Sequence, residues 1–277
     1  MGTLVKRCFS GLVFLVAMVG CSMFPYTFAV AIVFSISVMM LEYFNITMEK
    51  GFFAEKIISI ITAVSLFILL FLFLGYGLDS KYLLLAFLPL IINFILLMFR
   101  KNAQEEHIKS SGLFFPLIYI ALPIATSNFL VFDGNGNYSA KIFLSIFILI
   151  WMNDIGAYIF GMAFGQKEGR KRLFPSLSPK KSWAGVIGGV LLAIISAIIM
   201  YILGWMKFSM LHCLAITLIV VVFSTFGDLF ESLIKRNCGV KDAGNIMPGH
   251  GGLLDRFDGA LFVIPVVVIY LKIFLLI

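Results

Sequence analysis

Between Lys241 and Gly259 the chain reads KDAGNIMPGHGGLLDRFDG, with three acids, two bases and a histidine set among glycines at the mouth of its last apolar segment. A second set lies just upstream in FSTFGDLFESLIKR. There Ser224, Asp228, Glu231 and Lys235 are spaced 4, 3 and 4, which puts them on one stripe of a helix. Hard carboxylate oxygens at this density suit Mg²⁺, above all where phosphates complete the shell. Cations hold phosphates, and glycines let backbone approach a ligand closely. Together these are the parts needed to handle a nucleoside triphosphate. No GxxxxGK[ST] stretch occurs, so the site is not a P-loop. The plainer alternative for the acids is a structural set of ion pairs.

Two further clusters share this half of the chain. In WMNDIGAYIFGMAFG, Asp154 is an acid inside an apolar segment, where such residues are costly and usually functional. The spacing places Asp154, Tyr158, Gly161 and Gly165 on one helical face, and the two glycines form a GxxxG pair suited to close helix packing. In GQKEGRKRLFPSLSPKKSWAG, Lys167, Arg170, Lys171 and Arg172 read as ordinary loop charges. Lys180 and Lys181 differ, because they stand just before an apolar run at the depth of lipid headgroups. Ser178 supplies a hydroxyl, and Ser182 is placed to cap the next helix beside an anion.

The elements that must position these groups follow from composition. The chain has 277 residues, of which 61% are hydrophobic and only 13% charged. A soluble domain carries roughly a quarter charged residues, so this is an all-α integral membrane protein. Hydropathy predicts nine transmembrane spans, at about 8–24, 26–45, 57–75, 82–99, 113–132, 141–164, 184–206, 210–230 and 257–277. With the N-terminus in the cytoplasm, only Lys81, Lys141, Lys207 and Lys272 fall outside, and 17 of the 21 basic residues lie inside. The net charge of +7 is therefore a topology signal and not a sign of nucleic-acid binding. Glu42 lies near a helix end and reads as a structural, interfacial residue. The run ending AMVGC at Cys21 faintly resembles a lipoprotein leader, but a second apolar segment follows at once. The four cysteines have no CxxC spacing and read as small buried residues. The chemistry separates two regions: scaffold spans in 1–140 and a catalytic region with cytoplasmic loops in 141–277.

The segment Ser232 to Asp258, SLIKRNCGVKDAGNIMPGHGGLLDRFD, resembles the signature of the phosphatidate cytidylyltransferases, or CDP-diacylglycerol synthases. NDIGAYIFGMAFG and SPKKSWAG are similar to two further segments of that family, although Ala184 stands where an acid is common. The resemblance covers about 150 to 259. It implies a Mg²⁺-dependent membrane enzyme of phospholipid biosynthesis that converts CTP and phosphatidate to CDP-diacylglycerol and diphosphate. On this reading the protein is multi-pass in the cell membrane, with the bilayer and its lipid substrate as partners and a homodimer left open. Asp228 and Asp255 are the first choices as metal ligands, with Glu231 and Asp258 second. Lys235, Arg236, Lys241 and Arg256 hold phosphates, joined by Lys180 and Lys181, with Ser178, Ser232 and Asp154 in the substrate site. His250 donates a hydrogen bond to a phosphate or positions the loop.

Three rivals remain at this stage. A CDP-alcohol phosphotransferase lacks its DGxxAR start here, and the Asp255–Asp258 spacing is too short for its final motif. A CTP-dependent polyprenol or lipid kinase would share CTP and a lipid but release a different product. An ion transporter could use Asp154, Asp228 and Asp258 as a path, but the acids gather with bases toward one membrane face.

Overall fold

A computed structural model describes residues 3–48, 51–99, 103–165, 172–174, 178–249 and 251–277. Their long helices are α1 (Thr3–Cys21), α2 (Pro25–Thr47), α3 (Phe53–Tyr76), α4 (Ser80–Met98), α5 (Ser110–Val131), α6 (Lys141–Gly165), α7 (Trp183–Ile202), α8 (Met210–Asn237) and α9 (Leu254–Ile273). α5 is the apolar stretch of a helix that begins at Ala103. Among the described residues seven of these, α2 to α8, are long and apolar enough to cross a membrane. The described apolar part of α1, Phe9–Cys21, is shorter, and α9 carries Asp255, Arg256, Asp258 and Lys272. The fold is thus an all-α multi-pass one, with seven spans supported where hydropathy predicts nine. Its described strands form one antiparallel hairpin, β1 (Arg172–Phe174) with β2 (Ser178–Ser182).

The chain divides into two compact units. The first holds residues 1–139 and 242–256, the second 140–241 and 257–277. In the first unit, aromatic rings fill the interior. Phe28, Phe67, Phe71, Phe132 and Tyr138 form a closed ring of contacts with centroids 5.1 to 6.3 Å apart. Several polar groups inside this apolar unit are paired. Tyr138 Oη donates to the Ser22 carbonyl at 2.8 Å, and Asn93 Nδ2 donates to Ser59 Oγ at 2.8 Å. Pro25 opens α2, where its missing N–H costs nothing, and Gly77 ends α3 in the left-handed region. The DGNGN turn before α6 is stitched by Asp133, which accepts from the Asn135 and Asn137 backbone. The Asn137 side chain donates to it too and is the main cause holding its carboxyl below the usual range.

In the second unit, glycines set the helix spacing. A Cβ at Gly156 would strike the Gly188 carbonyl, and one at Gly189 would strike Asn153. α6 and α7 therefore touch backbone to backbone, the usual device where lipid removes the hydrophobic drive between helices. Gly227 plays the same part between α8 and α9, since its Cβ would meet the Asp258 carbonyl.

Candidate active site

The stripe on α8 exists, but its members meet different surroundings. Ser224 and Glu231 are buried, whereas the Asp228 side chain is 42% exposed. Ser224 Oγ accepts from Asn153 Nδ2 of α6 at 3.2 Å, which ties the two helices below the acids. Glu231 pairs one turn on with Lys235, Oε2 to Nζ at 2.7 Å. Asp228 receives Lys181 from the end of β2, Nζ to Oδ2 at 2.5 Å, and a longer contact of 3.4 Å from Ser232 Oγ. The hairpin explains how Lys181 arrives: the antiparallel register of Arg172 with Ser182 brings the strand end to the start of α7. Ser182 then caps α7, accepting from Gly185 N at 3.2 Å, as its position suggested.

Asp258, half-buried on α9, completes the group. Asp228, Glu231 and Asp154 are the charges that act on it, and its Oδ1 accepts from Gly259 N at 2.6 Å. Acids from α6 and α8 thus face Asp258 on α9, and Lys181 and Lys235 are paired with two of them. Asp154 and Tyr158 are exposed, whereas Gly161 and Gly165 are buried. A π-helical turn spans Gly161–Gly165. Both glycines pack on the start of α7: a Cβ at Gly165 would strike Ser182 Oγ.

The signature segment 242–256 belongs to the first unit. Asp255, 9% exposed, folds it: its Oδ2 accepts from Ala243 N at 2.9 Å and Gly252 N at 2.7 Å. One oxygen of this expected metal ligand therefore already organises the loop. Arg236, Lys241 and Arg256 are exposed, and Ser178 is half-buried on β2. His250 and the Lys180 side chain lie outside the described residues. Among the described residues no three His, Cys, Asp or Glu side chains form a ready metal cage. Sequence reasoning missed Asn153, whose only signal is an amide next to Asp154, and placed Glu42, rightly read as structural, at the interface where the structure buries it.

The profile of the cytidylyltransferase family matches residues 5–274. Curated relatives include the phosphatidate cytidylyltransferases of Staphylococcus saprophyticus, 42% identical over 128 residues (46% of this chain, 48% of the relative), and of Bacillus subtilis, 41% identical over 127 residues (46% of each). That of Staphylococcus haemolyticus is 38% identical over 143 residues, 52% of this chain and 54% of its own. The matched region spans about half the length of these relatives. With a family profile matched over almost all of its length, the chain belongs to the cytidylyltransferase family.

Proposed function

We propose that the protein is a phosphatidate cytidylyltransferase of the cell membrane, making CDP-diacylglycerol and diphosphate from CTP and phosphatidate. The observation that carries this reading is the cluster of Asp154, Asp228, Glu231 and Asp258, with Lys181 and Lys235 set against it. The names borne by the relatives support it. A phosphate oxygen of phosphatidate attacks the α-phosphorus of CTP in line. The new P–O bond forms as the bond between α-phosphorus and bridging oxygen breaks, and diphosphate leaves with that electron pair. The nucleophile is already anionic at neutral pH, so no strong base is required. The obstacles are repulsion between two polyanions and charge on the leaving group.

Lys181 sits at an accessible edge of the cluster and is placed to exchange its bond with Asp228 for one to a phosphate. Arg236, Lys241 and Arg256, all exposed, are the further phosphate holders of this reading. Mg²⁺, held by Asp228 and Asp258 with Glu231 in support, would neutralise charge on the phosphates. The test is purified protein with labelled CTP, phosphatidate and Mg²⁺. A labelled CDP-lipid is expected. A phosphorylated lipid with released CDP would instead mark a lipid kinase, and ion flux into proteoliposomes without CTP would mark a transporter.

A further inference from the structure

Glu42 lies toward the end of α2, inside an apolar helix, and is 7% exposed. A carboxylate there is costly unless it is fully engaged. It is engaged by backbone from the far end of the chain. Oε1 accepts from Leu253 N at 3.0 Å and Oε2 accepts from Leu254 N at 2.8 Å. These amides open α9, where N–H groups lack partners within the helix and the helix dipole favours an anion. The backbone also wraps the carboxylate closely. A Cβ at Gly244 or Gly252 would collide with it as it stands, so a side chain at either site would push the carboxylate away. Asp255 closes the segment on itself through Ala243 and Gly252, and Glu42 ties the closed segment to α2.

We propose that Glu42 is a positioning residue for the transfer reaction, a role that rests on the transferase reading above. By holding the first turn of α9, it fixes the direction in which that turn presents Asp255 and Arg256. A buried structural acid would matter only for stability. A positioning acid matters for turnover beyond what stability explains.

The experiment compares Glu42→Gln with Asn93→Ala in full-length protein in detergent. Asn93 is the control because it is buried in the same unit and bonded to Ser59 and the Glu55 carbonyl. Glu42→Gln turns one oxygen into a donor facing an N–H. It should lower kcat by about 10- to 100-fold, the usual cost of losing a group that orients a site. KM for CTP should stay within about threefold, and hydrogen exchange at the Leu253 and Leu254 amides should speed up at least about tenfold. Asn93→Ala should lower Tm at least as much and leave kcat near wild type. The proposal is overturned if Asn93→Ala loses equal turnover, if Glu42→Gln keeps wild-type kcat, or if exchange at the two amides is unchanged. Wild-type protein that makes no CDP-lipid sinks the transferase reading instead, and exchange alone then decides whether Glu42 holds α9.

Discussion

Lys181 at the end of β2 and Asp228 on α8 form an ion pair of 2.5 Å, with the side chains 25% and 42% exposed. A pair this open to solvent contributes little to stability, so its value lies in what it can exchange. If the proposed reading holds, Asp228→Asn should cut turnover by about 100-fold or more, because the carboxylate that would hold Mg²⁺ and orient Lys181 is lost. Lys181→Gln should do less, mostly through KM for CTP. The swapped double variant, Asp228→Lys with Lys181→Asp, should remain inactive. Recovery of activity in the swap would reduce the pair to a structural contact.

Glu231 and Lys235 should behave in the opposite way. Their side chains are 1% and 13% exposed, so the pair is buried. Lys235→Met strands a buried carboxylate and should cost about 3 kcal/mol, read as a lower Tm in detergent. Adding Glu231→Gln should return most of that stability while turnover stays low. If activity returns with stability, Lys235 has no role with phosphate.

The contact between α6 and α7 depends on having no side chain at Gly156. Gly156→Ala should destabilise by about 1–3 kcal/mol, because the obstacle is the backbone carbonyl of Gly188, which cannot rotate away. Gly134→Ala, where a Cβ meets nothing within 4 Å, should stay within about 0.5 kcal/mol. Equal Tm values for the two variants would exclude the close contact.

Topology is tested by thiol labelling after removal of the native cysteines. Gly134→Cys in the exposed turn before α6 should react with an impermeant reagent in intact cells. Asn237→Cys, exposed at the end of α8, should react only after lysis. The reverse pattern would overturn the cytoplasmic N-terminus.

Span positions were legible because bilayer thickness fixes the length of an apolar run. The grouping of Asp228, Glu231 and Lys235 was legible because helical period maps spacing onto a face. The partner of each face was not. In lipid, packing and lipid-facing residues are equally apolar, so hydropathy could not tell that Gly156 seats against Gly188. Nor could 3.6 periodicity anticipate the π turn over Gly161–Gly165. The burial of Glu42 was missed because its partners are backbone amides, which have no identity in the sequence and lie 211 and 212 residues away.

That separation has a consequence for biosynthesis. The ribosome releases α2 roughly ten to forty seconds before it makes Leu253, at ordinary elongation rates. Throughout that interval the Glu42 carboxylate must be accommodated by interfacial water or by the insertion machinery, because the amides that will receive it do not yet exist. A nascent chain stalled before residue 253 therefore displays an unsatisfied acid in its second helix.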